Sequence, residues 1–381
     1  MTLFEDADTP ELADLRATVR RFIADHIAPH HAQWEKDGQV PRELWLAAGE
    51  LGLLCMGIPE AYGGAGADFR CSAVLTQELG RAGYTGPLFY LHSDIVAPYL
   101  LHYGSEDQKR QWLPRMARGE VIGAIGMTEP DAGSDVAGIR TTARQEPGGW
   151  RVHGQKIFIS NGQLADLLLL AAKTQPERGA KGVSLLLADT HRPGFHRGRK
   201  LEKLGMHAQD TSELFFDDLL LPPEALLGED GRGFSYLMQQ LPQERLLVAI
   251  TAVGAMEAAV EWTRDYVRDR RAFGAPLADK QLVRHQLAAC WSDVLAARAF
   301  LQDCLERHVH GRLDTATASA IKAWASELQF SVLDRCVQLF GGYGYMREYP
   351  IARAWADARV QRVYGGTTEI MREIIARKLF S

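Results

Sequence analysis

Apolar positions recur along this chain in two rhythms, and the switch between them divides it into three parts. Through residues 9–119 they fall at helical spacing between Gly and Pro turns. Thr9 suits a helix N-cap and Pro10 a first turn, after which Leu12, Leu15, Val19, Phe22 and Ile23 form one stripe to bury. Residues 42–51, 72–81 and 106–116 read as further helices, whereas the stretch holding Gly63, Gly64 and Gly66 reads as a loop. From 121 to 228 the rhythm becomes strand-like: a turn at Gly148-Gly149, a strand to Ile159, apolar runs at 167–172 and 183–188, and a last strand stopped by Pro222-Pro223. No amphipathic helix separates these strands, so an antiparallel sheet is expected rather than a parallel α/β one. Helices then return over 244–271, 282–308 and 316–339, the second with Leu287, Val294, Leu301 and Leu305 on one side. Long helices with short loops pack as an antiparallel bundle. The expected fold is α+β, with an N-terminal α-helical domain over 1–120, a central antiparallel β domain over 121–230 and a C-terminal helical bundle over 231–381.

Composition narrows the function. With 48 acidic against 43 basic residues the formal charge is −5, which gives no general attraction to nucleic acid or anionic membrane. Five widely spaced cysteines, with no C-x-x-C pair, argue against a disulfide framework or a zinc site and fit a reducing cytoplasm. The acidic first eight residues lack the apolar core of a signal segment, and no apolar run reaches membrane-spanning length. His26, His30 and His31 read as surface histidines rather than metal ligands, and the basic stretch from His191 to Lys200 as a solvated loop. No metal site is expected.

Four strings carry chemistry. The first is Met127-Thr-Glu-Pro-Asp-Ala-Gly-Ser-Asp135, in which Thr128, Gly133 and Ser134 let backbone and hydroxyls approach a polar ligand. The second, Phe158-Ile-Ser-Asn161, closes a strand; Phe158 alone reads as core. The third is Asp269-Arg-Arg-Ala-Phe-Gly274 with Gln281, where Arg270 alone reads as a cation complementing a helix end. The fourth runs from Cys336-Val-Gln-Leu-Phe-Gly-Gly342 to Val363-Tyr-Gly-Gly-Thr-Thr-Glu369.

Together these strings resemble the acyl-CoA dehydrogenase family over essentially the whole chain. The resemblance implies a C-terminal four-helix bundle, FAD as cofactor and a homotetramer, or at least a homodimer, acting in lipid metabolism and fatty acid β-oxidation. By the same carry-over Ile125, Met127, Thr128, Gly133, Ser134, Phe158, Ile159, Ser160, Thr367 and Glu369 meet FAD, joined by Arg270, Phe273, Gln281, Gln338, Gly341 and Gly342 across a subunit interface. Ser134, Arg245, Tyr364, Gly365 and Gly366 are implied to contact the acyl-CoA, and an electron-transfer flavoprotein to collect the electrons. Asp131 departs from the family's usual glycine.

Desaturating a thioester needs a base for the α-proton and a hydride acceptor, which in the family is flavin N5. Many members carry the base in Y-E-G-T, but this chain reads Tyr364-Gly-Gly-Thr367. The string Leu241-Pro-Gln-Glu-Arg-Leu246 resembles the long-chain and isovaleryl branches, where a glutamate at the start of a helix supplies the base from the other side. Glu244 is that residue; read alone, it is a carboxylate suited to a helix N-terminus. The expected reaction is α,β-dehydrogenation of an acyl-CoA to the trans-2-enoyl-CoA. The alternatives are desaturation of a carrier-protein thioester, an O2-using flavin oxidase or monooxygenase, and a non-catalytic scaffold.

Overall fold

The computed structural model describes Leu3 and residues 8–381; most of the acidic leader lies outside the described residues. Six helices make the first layer: α1 Pro10–Phe22, α2 His31–Asp37, α3 Arg42–Glu50, α4 Phe69–Ala82, α5 Ala97–Tyr103 and α6 Glu106–Ala117. Thr9 caps α1, and Ser105 with Gln108 forms a reciprocal capping box on α6. Val19, Phe22 and Ile23 are buried as the stripe predicts, while Leu12 and Leu15 are half-buried. A π-helical turn, Leu91–Val96, leads directly into α5. Such turns recur at functional sites. His31 departs from the surface reading: its ring is buried between Trp34 and Tyr84.

The middle layer is one sheet of eight strands: β1 Gly123–Gly126, β2 Thr142–Glu146, β3 Gly149–Ser160, β4 Leu167–Lys173, β5 Val183–Asp189, β6 Phe195–Lys200, β7 Thr211–Leu221 and β8 Leu226–Leu227. Their order is β6-β7-β3-β2-β4-β5-β8, with β1 beside β4. Most neighbours are antiparallel, but β1 and β2 both run parallel to β4. The β2–β3 hairpin returns the chain before β4 begins, so a parallel pairing needs no crossover helix. The basic stretch is a solvated loop only over residues 191–194. Phe195–Lys200 is an edge strand on β7, and Arg197 donates to the Ala165 carbonyl at 2.8 Å.

The third layer holds α7 Gly233–Asp269, the ribbon β9 Arg271–Ala272 with β10 Ala275–Pro276, then α8 Gln281–Val309, α9 Thr315–Phe340, α10 Pro350–Ala358 and α11 Thr368–Leu379. Helix α7 begins well before the predicted start and contains Pro242. Proline inside a helix costs about 3 kcal/mol, but burial of Tyr236, Leu237 and Leu241 rewards continuing the helix through it. By length and composition α7 could cross a membrane, contrary to the sequence expectation, yet 83% of its apolar window is buried in the fold. Its faces are covered by α4, α8 and α9 in one shared core. Gly254, a breaker in sequence, is a contact point in space. A Cβ there would sit 2.5 Å from the Gln77 carbonyl oxygen of α4, and one at Gly80 would sit 2.8 Å from that of Thr251.

One side chain ties all three layers. Asp357 of α10 is buried and accepts from the Met206 backbone N–H, which follows β6, and from the Thr85 hydroxyl at 2.9 Å, which follows α4. Burial pushes its carboxyl up to about 6, against those two hydrogen bonds. Replacing it leaves a buried backbone donor and a half-buried hydroxyl unpaired. Asp357→Ala is expected to destabilise the fold by about 2–4 kcal/mol, read as a lower thermal midpoint. Unfolding at the wild-type temperature would remove Asp357 as a tie between layers.

Candidate active site

Glu244 lies eleven residues into α7, in the helix interior, so no helix N-terminus stabilises its charge. Its carboxyl is deep in protein, although part of the residue's surface stays accessible. Burial pushes its pKa up to about 7, while the Tyr99 hydrogen bond and the Arg245 charge hold it down. The Tyr99 hydroxyl, from α5, donates to Glu244 Oε1 at 2.9 Å. Such a carboxylate is far more basic than one in water, and it remains ionisable near neutral pH.

The neighbours of Glu244 in sequence fix the helix on two sides. The Gln243 amide donates to the Asp94 carbonyl at 2.6 Å and its oxygen meets His308 Nε2 at 3.0 Å. Arg245 is buried. Its guanidinium donates to the Ser319 hydroxyl at 3.2 Å and makes a long 3.5 Å contact to the Gly365 carbonyl. In this structure Arg245 is therefore a brace for the loop over the site.

That loop carries Tyr364, Gly365, Gly366 and Thr367. Gly365 and Gly366 have φ of +65° and +95°, a region that glycine enters without strain. A Cβ at Gly365 would meet only Val248 at 3.7 Å and Lys322 at 3.9 Å. Val248 is one turn beyond Glu244, so the position without a carboxylate faces the helix surface that bears one. Burial, then the facing Tyr90, raises the Tyr364 phenol well above its usual range. Thr367 caps α11, and Glu369 sits exposed in its first turn.

On the sheet side, Ile125 of β1 and Met127 pack against the same apolar cluster as Tyr99 and Leu247. The Thr128 carbonyl accepts from the Ile157 N–H at 3.0 Å, which brings the first and second strings together. Gly133 and Ser134 are exposed in the loop that follows. At a register shift in β3, Phe158 adopts φ +60° and the residue is 62% exposed. An aromatic residue held outside in a sparsely populated conformation is not a core residue; it presents a flat apolar face at the surface. Ile159 turns inward to the sheet core, so any outward contact it makes is through its backbone; Ser160 beside it is half-buried.

The remaining predicted residues gather elsewhere. Arg270, Gln338, Gly341 and Gly342 line an open cavity of about 510 Å³ at the ends of α7 and α9. Arg270 stacks over Tyr343 at 5.4 Å and has no carboxylate partner among the described residues. Phe273, at the ribbon tip, is 96% exposed with φ +52°, and the Lys280 ammonium lies 5.8 Å from its ring. Gln281 is exposed where α8 begins. No hydrogen bond or ring contact among the described residues joins this group to Phe158 or Glu244.

Sequence reasoning missed several contributors. Tyr99 and Tyr90 sit in an apolar helical stretch that marks them only as core. Glu129 and Lys156 form a buried pair at 2.7 Å that shapes the first string, with Glu129 also accepting from the Thr141 N–H. Burial pushes Lys156 down to about 8, with Glu129 opposing the shift. Lys322 of α9 is fully buried and donates to the Gly366 carbonyl at 2.6 Å. Burial, then the Arg245 charge, lowers it to about 8. No cluster of three potential metal ligands occurs among the described residues.

Sequence models of the N-terminal, middle and C-terminal acyl-CoA dehydrogenase domains match residues 9–120, 124–219 and 231–380. The chain is 52% identical over 366 residues to the mitochondrial long-chain specific acyl-CoA dehydrogenase of Sus scrofa, covering 96% of this chain and 85% of that protein. The crystal structure of acyl-CoA dehydrogenase from Geobacillus kaustophilus superposes with a TM-score of 0.96 at 46% identity, covering 99% of this chain and 100% of that one. A glutaryl-CoA dehydrogenase from Mycobacterium smegmatis in complex with FADH2 superposes at 0.91 with 30% identity, covering 98% and 95%.

The two cations behind the loop give a test of its anchoring. Lys322→Met removes the ammonium that holds the Gly366 carbonyl. Hydrogen exchange of the backbone over residues 364–368 is expected to quicken by about tenfold. Unchanged exchange there would mean that the loop holds itself.

Proposed function

The chain belongs to the acyl-CoA dehydrogenase family and is an oxidoreductase; from that premise we propose that it converts an acyl-CoA thioester to the trans-2-enoyl-CoA, with Glu244 taking the α-proton. The observation that carries this reading is a carboxyl raised to about 7 inside α7, facing a loop whose own position 365 is glycine. A base for a carbon acid gains from desolvation, and Glu244 is desolvated without a bonded cation to quench it.

The residues present fit FAD. Phe158 offers an exposed ring, Thr128, bonded through its carbonyl to the Ile157 N–H, and Ser134 in the exposed loop beyond it offer hydroxyls, and Arg270 offers a guanidinium suited to a pyrophosphate. Bound FAD would accept the β-hydrogen as hydride. The chain's own part is to exclude water around Glu244, orient the thioester under the 364–367 loop and receive the proton at the carboxylate. The Arg270 group is exposed and makes no hydrogen bond or ring contact with Phe158 among the described residues, which supports a homotetramer, or at least a homodimer, in which a second copy brings a guanidinium to each cofactor. An electron-transfer flavoprotein is the proposed acceptor, and the five free thiols support a cytoplasmic setting.

Anaerobic mixing with a panel of acyl-CoAs of different length and branching is expected to bleach the flavin. Bleaching by an acylated carrier protein, but by no CoA ester, would transfer the assignment to carrier-linked desaturation. Glu244→Gln is expected to keep flavin yet slow its reduction by roughly 10²–10⁴-fold; near wild-type speed removes Glu244 as the base. Only the ionised carboxylate accepts a proton, so kcat/KM is expected to fall about tenfold per pH unit below about 7. Arg270→Ala is expected to weaken flavin binding by roughly 10–100-fold, read as flavin per chain after dialysis. Full retention of flavin would exclude a phosphate contact there.

A further inference from the structure

We infer that Tyr99 is a positioning residue for the reaction: its hydroxyl reaches from α5 of the N-terminal layer to Glu244 of α7 and fixes which carboxyl oxygen is left free to take the proton. The inference rests on the reading of Glu244 as the base. Tyr99 is fully buried, and its hydroxyl meets Oε1 at 2.9 Å. That bond occupies Oε1 and leaves Oε2 as the oxygen without a bonded partner among the described residues.

The backbone on either side of Glu244 is already fixed, through Gln243 to the Asp94 carbonyl and His308, and through Arg245 to Ser319. The remaining freedom is in the glutamate side chain itself, whose rotamers cost free energy to order. A phenol held rigidly by its ring is an effective way to order them, because it brings no flexible chain of its own. The Tyr103 ring stacks at 4.0 Å on Tyr236 of α7, and the Tyr99 ring centroid lies 6.1 Å from that of Tyr103, so the donor sits on a packed aromatic wall.

The charged and titratable groups that face this pair are few. Tyr99 and Tyr103 come from α5 and Arg245 from α7, with Lys322 of α9 behind Arg245. Burial, and then the facing Glu244, push the Tyr99 phenol well above its usual range, so it remains a donor at any working pH. Its hydrogen bond therefore has two opposed effects. It orients the carboxylate, and it withdraws some of the basicity that burial confers. Losing the bond should leave a carboxylate that is more basic but poorly aimed.

Tyr99→Phe removes one oxygen and keeps the ring. In the flavin-loaded enzyme the acid limb of kcat/KM is expected to move up by about one pH unit. Above that limb, kcat is expected to stay about tenfold below wild type with KM within about twofold. Replacing Tyr99 by 3-fluorotyrosine, a stronger donor of the same shape, should move the limb the opposite way, which a purely structural role would not do. The same shifts should appear in an infrared titration of the Glu244 carboxyl in the full-length protein, with the band assigned by its loss in Glu244→Gln. Unmoved limbs and an unchanged carboxyl titration in both Tyr99 variants, with Glu244→Gln inactive, overturn the role of Tyr99 alone. An active Glu244→Gln overturns the base assignment beneath it. If Tyr99→Phe does not fold, the fluorotyrosine shift decides the matter.

Discussion

A carboxylate proposed to take a proton from carbon must be stripped of water and still be able to ionise, and the surroundings of Glu244 meet both halves of that constraint. Stripping requires protein around the carboxyl, which a helix start at the surface cannot provide. Helix α7 meets the need by running through Pro242, so that the carboxylate falls in its interior under α5. Ionisation requires some compensation, supplied by one phenol and one nearby guanidinium. All three layers contribute to the surroundings of this side chain. The N-terminal helices bring the donor, the C-terminal helices bring the acid and its loop, and the sheet supplies apolar walls through Ile125 and Met127.

The predicted cofactor residues divide into two groups with a common physical signature. Phe158 and Phe273 are both aromatic residues at positive φ with exposed rings, an arrangement unfavourable in conformation and in hydration. Two such costs persist when the surrounding strand bulge and ribbon turn impose them, and each ring then presents a flat apolar face to whatever docks. The first stands beside the Met127–Ser134 loop, fixed by the buried Glu129–Lys156 pair. The second stands beside Arg270 and the Gly341-Gly342 turn. No hydrogen bond or ring contact among the described residues joins the two groups, which is in keeping with the proposal of a site completed by a second copy.

Much was legible from periodicity because burial decides it locally. The stripe on α1, the apolar runs of β4 and β5 and the long stretches of α8 and α9 each follow from spacing alone. Errors arose where long-range burial outweighs local preference. The helix expected to open at residue 244 begins at Gly233 and runs through Pro242; His31, expected at the surface, lies against Tyr84; and in the stretch from His191 to Lys200, expected to be a loop, Phe195–Lys200 forms an edge strand. In each case the residue is neutral or unfavourable by itself, and its neighbours in space set the outcome.

The strings around Thr128, Phe158, Arg270 and Gly341 place the chain in its family because they are contiguous, and contiguous chemistry survives in a linear text. The same text singles out Glu244 through the missing carboxylate at Gly365. What it does not contain is the environment of that glutamate. The Tyr99 hydroxyl lies 145 positions away in sequence and 2.9 Å away in space, and Lys322 reaches the Gly366 carbonyl from another helix. Basicity depends on solvation and on charges within a few ångströms, whatever their order along the chain. The sequence therefore determined which groups are present, and only the packing of three layers decided which of them is basic, which is held and which faces outward.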